Sequence, residues 1–288
     1  MKKLLVFLIL FAAVLTGCTQ PETAPVAATT LPVWEFTQRL CEGTGISVAR
    51  LITENVSCLH DYTVQVSQMR TVESAEMVVC NGAGLEAFME DVLQDTNTVD
   101  ASADILLLCG HDHDVHTSEE HHHEHDPHIW LSLENAKQMC HTICAELSSR
   151  YPEHTELFHR NLETLIADLD RLQAYGEATL KYLSCRDLIT FHDGFAYFAQ
   201  SFDLHILKVV EEESGGEASA KELIELIQLV GENRLPAVFT EINGSTAAAD
   251  VIAAETGVTV YQLDMAMAGD SYFEAMYHNI DTIKEALG

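Results

Sequence analysis

The chain is poor in basic residues. Only 15 of its 288 residues are Lys or Arg, against 45 Asp or Glu, a formal charge of −30. Nucleic acid is thereby excluded as a natural partner, because phosphate binding needs clustered cations. No CxxC pair occurs among the eight cysteines, so nothing supports a thiolate zinc finger. HExxH, the helical signature of many zinc hydrolases, is absent as well. The one long apolar run, Leu4 to Leu15, is too short for a confident membrane span. Only six prolines are present, and none lies between residues 156 and 182.

What is present begins with that apolar run. Lys2 and Lys3 precede it and "LTGC" closes it, the layout of a secretory signal over residues 1–17. "LTGC" resembles the bacterial lipobox, which implies that Cys18 becomes a lipidated N-terminus on the outer face of the cytoplasmic membrane. Residues 18–29, small, polar and Pro-containing, are expected to form a tether. The seven further cysteines (41, 58, 80, 109, 140, 144 and 185) are odd in number and irregular in spacing. Several sit in apolar runs and read as small buried hydrophobes, with no specific disulfide expected.

With 47% hydrophobic residues the chain can build packed cores. Short apolar runs at 46–52, 77–81, 105–109, 188–190, 205–210, 237–241 and 258–264 read as buried parallel strands. Helical patterns at 33–45, 221–233 and 245–257, and a helix opening near Ser132, alternate with them. One helical stretch breaks the alternation. Phe158, Leu162, Leu165, Leu169 and Leu172 recur at steps of four and three. The fold class expected is α/β: two Rossmann-like lobes with small, mostly parallel sheets flanked by helices, joined by one long rigid helix. The N-terminal lobe spans 30–155 and includes a His-rich loop at 111–126. The linking helix covers 156–183, and the C-terminal lobe 184–288.

That loop belongs to the run 111–128, which holds eight histidines and six acids. His111, His113, His116, His121, His122, His123 and His125 have no helical or strand period. A tight metal site needs three or four ligands held at about 2 Å, which such a loop holds poorly. Many imidazoles and carboxylates together can still collect divalent ions weakly. A better site comes from residues anchored on rigid elements. His60, His128, His192 and Asp264 all stand at the ends of expected elements, where open α/β sheets gather ligands. Two fall in each lobe, so a site built from all four lies in the cleft between lobes. Glu241, at the end of "AVFTE", is expected to orient a ligand rather than bind the ion.

At this point the chain resembles the zinc-binding lipoproteins of bacterial ABC importers, among the metal-specific solute-binding proteins. The resemblance runs from about Thr29 to near the C-terminus. It is carried by "NGAGLEAFMED", "DPHIWLSLENAKQM", "FHDGFAYFAQSFDL" and "FTEINGSTAAADVIAAETGVTVYQLD". It implies that His60, His128, His192 and Asp264 bind the ion. It also implies Zn²⁺ as cargo, a monomeric receptor, and delivery to an ABC permease powered by a cytoplasmic ATPase. Two departures stand out. Leu59 precedes His60 where the family usually has Pro, and "LDMAMAGD" replaces "LDPLG". Three imidazoles and one carboxylate suit zinc better than manganese, which prefers more oxygen. Other readings of the residues are a zinc-dependent surface hydrolase, a manganese-binding receptor, and a metal-storage or adhesin lipoprotein with a role in cell adhesion.

Overall fold

The computed structural model of the protein describes residues 24–56, 59, 62–109, 125–210 and 218–288. The expectations on the signal segment with Cys18, on Cys58, on His60 and on His111, His113, His116, His121, His122 and His123 lie outside the described residues.

The first lobe is a parallel sheet of β1 (Val26–Ala28), β2 (Val48–Arg50), β3 (Met77–Cys80) and β4 (Thr98–Asp100), in the spatial order β2-β1-β3-β4. Around it lie helices α1 (Leu31–Leu40), α2 (Val66–Ser74), α3 (Glu90–Leu93) and α4 (Leu133–Arg150). The second lobe contains β5 (Asp187–Thr190), α6 (Ala196–Ser201), β6 (His205–Val209), α7 (Ala220–Asn233), β7 (Ala237–Glu241), α8 (Ala247–Thr256), β8 (Thr259–Leu263) and α9 (Tyr272–Leu287). Its sheet, again parallel throughout, runs β6-β5-β7-β8. Each sheet thus places its second strand first, then its first, third and fourth. The order reverses beside the first strand, so both lobes have a switch point between their first and third strands.

The lobes are joined by α5 (Thr155–Thr179), 25 residues long and therefore about 37 Å from end to end. Phe158, Leu162, Leu165, Leu169, Leu172 and Gly176 line its buried face. The four–three spacing seen in the sequence is the seam by which α5 packs into a core shared by both lobes. At Gly176 a side chain would strike the Phe202 ring, 2.3 Å from where its Cβ would stand, so the helix approaches the second lobe there at backbone distance. Local signals agree with these bounds. Ser132 caps α4 by accepting from the Asn135 amide, and Ser219 and Glu222 form a capping box at the start of α7.

Two expectations are corrected. Residues 18–29 were expected to form a tether, yet their end, Val26–Ala28, is the strand β1, fully buried between β2 and β3. Small residues there suit a strand covered on both faces. Residues 105–109, "ILLLC", are not a strand. The fourth place in the sheet goes to β4, and Leu106 is 92% exposed. The Leu108 amide donates instead to the Tyr197 hydroxyl, and Cys109 only forms an isolated antiparallel bridge with His125. Apolar composition alone does not make a strand without a partner edge. The six described cysteines, 41, 80, 109, 140, 144 and 185, carry free thiols. Burial pushes the Cys41 thiol up to about 12, so it is an inert core group.

Candidate metal site between the lobes

His128 sits at the entry to a single 3-10 turn, Ile129–Leu131, that leads into α4. Asp126, two residues earlier, fixes it twice. Asp126 Oδ1 accepts from the His128 backbone amide at 2.9 Å and lies 2.8 Å from Nδ1. A carboxylate oxygen accepts, so the ring proton belongs on Nδ1 and Nε2 keeps its lone pair for an ion. Pro127, between them, is held through its carbonyl by the Asn81 side-chain amide at 3.0 Å. Asn81 is fully buried directly after β3. Its backbone amide donates to Glu86, whose carboxylate also accepts from the Gly82 amide and the Thr29 hydroxyl. Thr29 follows β1. The switch point of the first sheet is therefore a braced floor beneath His128.

His192 lies two residues beyond β5, and Glu241 ends β7, so both belong to the switch point of the second sheet. Glu241 Oε2 stands 3.9 Å from His192 Nδ1. The rings of His128 and His192 meet across the lobe boundary with centroids 5.4 Å apart and planes at 85°. A zinc ion bonded at about 2 Å to one nitrogen of each ring, at a tetrahedral angle, would set the centroids about 5.2 Å apart. The observed pair fits that separation. Gly194 packs against both rings. A Cβ added there would lie 2.5 Å from the Met265 methyl, 2.9 Å from His192 Cδ2 and 3.2 Å from His128 Cε1. Only glycine leaves the two rings and Met265 their present places.

Asp264 follows β8 and is half-buried. Burial pushes its carboxyl above the ordinary value, opposed by the Ala266 amide and by His278. Its Oδ1 accepts from the Ala266 amide at 2.7 Å, while Asn279 clasps its backbone through both N–H and C=O. Next to it, the Met265 carbonyl accepts from the Trp130 indole of the other lobe, and the Tyr272 hydroxyl donates to the Trp130 carbonyl.

Of the expected set, the structure pairs His128 with His192 and stands Glu241 beside His192. His60 lies outside the described residues, and of the His-rich run only His125 is described, exposed at the loop's base. Among the described residues no group of three or more His, Cys, Asp or Glu is close enough to hold an ion. Sequence reasoning missed Asp126, Asn81 and Tyr197. The Asp two residues before His128 has the spacing of an Asx turn and could have been read as its brace. Asn81 and Tyr197 bond across 46 and 71 residues and leave no local signal.

Fold and site together define a two-lobed α/β protein that brings an imidazole from each lobe to one seam. Residues 26–286 match the model of the family described as zinc-uptake complex component A, periplasmic (ZnuA). A putative metal-binding protein of Treponema pallidum (strain Nichols) is 30% identical over 281 residues, covering 93% of this chain and 88% of its own length. The zinc-binding lipoprotein AdcA of Streptococcus pneumoniae serotype 4 is also 30% identical, over 309 residues. That match takes in 99% of this chain but 61% of the streptococcal protein, so the chain spans about three fifths of that relative. The crystal structure of ZnuA superposes with a TM-score of 0.79 at 28% identity, covering 92% of this chain and all of the other. The chain belongs to the zinc-uptake complex component A family.

Proposed function

We propose that this protein is an extracytoplasmic zinc receptor that captures Zn²⁺ between its lobes and hands it to an ABC permease driven by a cytoplasmic ATPase. The observation that carries the reading is the His128–His192 pair. Two imidazoles from opposite lobes, each beside a buried carboxylate, face one another at a separation that suits one ion. Family membership and the zinc named for its streptococcal relative support the same reading. The ligand set we infer is His60, His128, His192 and Asp264, with Asp126 and Glu241 orienting the two imidazoles. Four protein ligands leave little room for an activated water, so the protein is a carrier and not an enzyme.

The histidines 111–125 then form an accessory collector, and Cys18 a lipid anchor. No described helix is long and apolar enough to cross a membrane. Calorimetry on the chain with and without residues 111–125 tests the division of labour. One tight ion is expected in both, with weaker ions only in the full chain. Loss of the tight ion with the loop overturns the assignment of the site to rigid elements. Competition titration against Mn²⁺ tests the cargo, and equal affinity for manganese overturns zinc.

A further inference from the structure

We propose that Arg50 is a positioning residue for ion binding: it ties the end of β2 to the loop of the other lobe that carries Asp264. The inference rests on the reading of Asp264 as a ligand, and it extends that site to a residue that touches no ion.

Arg50 closes β2, at the edge of the first sheet. Its guanidinium reaches into the other lobe, where one terminal nitrogen donates to the Gly269 carbonyl and the other to the Met267 carbonyl, each at 2.7 Å. Both carbonyls belong to the segment between β8 and α9, which starts with Asp264. That segment is unusual backbone. Ala266 and Gly269 have φ of +55° and +82°, left-handed values that cost a non-glycine residue energy. Asn279 and Trp130 hold its first residues from outside, and Arg50 holds Met267 and Gly269 further on. Along the seam beside Arg50 there is a cavity of about 420 Å³, lined in part by Trp34, Gln38, Asn55 and Asp270, instead of packed side chains. The guanidinium is thus the join between β2 and the loop at that point. A planar fork with two parallel donors fixes both the distance and the angle of what it holds, which a single ammonium cannot do.

The consequence is placement of Asp264 relative to the first lobe. Asp264 Oδ1 is spent on the Ala266 amide, inside the turn whose later carbonyls Arg50 grips. Letting go of those carbonyls loosens the later part of the turn, while Asn279 and Trp130 still hold Asp264 and Met265, and so shifts the aim of the Asp264 carboxylate without unfolding the loop. The loss falls on the bound ion more than on the fold, because β2 and α9 keep their own ladder and core contacts.

Zinc affinity and zinc release into excess chelator are measured on the purified chain carrying Arg50→Gln, Arg50→Lys or Asp264→Ala, together with apo-protein melting temperature. The expected result for Arg50→Gln is about tenfold weaker affinity, as for other groups that orient metal ligands, with faster release and little change in apo melting. Arg50→Lys is expected to recover part of the loss. Wild-type affinity in Arg50→Gln, alongside weakened Asp264→Ala, overturns the role of Arg50 and leaves the ligand reading standing. Wild-type affinity in Asp264→Ala overturns the ligand reading itself. A loss in Arg50→Gln that merely follows a fall in apo melting, with no rescue by Lys, also overturns the proposal. Should Arg50→Gln fail to fold, Arg50→Lys against wild type decides by the same two readouts.

Discussion

The two lobes repeat one strand order and put a carboxylate at the same switch point, yet the carboxylates do different work. In the first lobe Glu86 is buried and saturated by three donors, the Thr29 hydroxyl and the amides of Asn81 and Gly82. In the second lobe Glu241 stands 3.9 Å from an imidazole nitrogen of His192. One acid braces backbone; the other sits beside a candidate ligand. The first lobe needs its brace because His128 does not grow from a strand end. His128 arrives from a segment 46 residues along the chain from Asn81, which must be docked on the sheet. His192 follows its own strand directly and needs only orientation. A repeated topology thus supplies the place for a carboxylate, and the route by which the ligand arrives decides its use.

The sharpest break of this comparison is removal of the ligands themselves. His128→Ala and His192→Ala are each expected to weaken tight zinc binding by more than about a hundredfold, beyond the usual effect of orienting groups. The two losses should be similar, since the lobes contribute equally to the pair. A chelator-competition titration in which either variant keeps wild-type affinity would falsify the interlobe site.

Next in size is the brace. Glu86→Ala strands two buried donors and one half-buried one, and is expected to cost about 3 kcal/mol of stability in urea unfolding. Glu241→Gln keeps its shape and should cost under about 1 kcal/mol of stability while weakening zinc about tenfold. Asp126→Asn should behave like Glu241→Gln, because it disturbs the hydrogen bond that sets the His128 tautomer. If Glu241→Gln destabilises the fold as much as Glu86→Ala and leaves zinc binding intact, the two carboxylates are alike and the contrast is lost.

The difference between lobes also explains what was legible in the sequence. β7 ends in Glu241 and β8 is followed at once by Asp264, so strand, boundary and candidate residue are read together. The long helix was legible from Phe158 to Leu172 because its seam repeats every three or four residues. The first lobe hid more. β1 is three small residues whose strand character comes from burial between two neighbours, and it lay inside an expected tether. "ILLLC" has the composition of a strand, but the sheet had no place for it. Tyr197 receives the Leu108 amide and donates to the Asp126 carbonyl, a tie between lobes that no local pattern encodes. His128 was legible from its place before a helix, whereas Asn81, which docks its neighbour, works at long range.

The smallest effect is the pH dependence of the brace. Burial is the largest influence on Glu86 and raises its carboxyl above the ordinary 4.5, despite the three donors and with Asp100 adding to the rise. Between 4.5 and the folded value, the folded chain keeps a proton that the unfolded chain gives up. Raising the pH through that window therefore favours unfolding. The stability tied to this carboxyl is fully present below 4.5 and declines as pH passes the folded value. Glu86→Gln removes the titration and should flatten that part of the stability profile, although the amide donates where the Gly82 amide needs an acceptor and so lowers the whole curve. Urea midpoints of wild type and Glu86→Gln across pH 4 to 8 give the answer. Profiles that converge as pH rises support a proton held by the buried brace. Profiles that diverge as pH rises mean that the three donors outweigh burial, and Glu86 is then an ionised anchor whose contribution grows with pH.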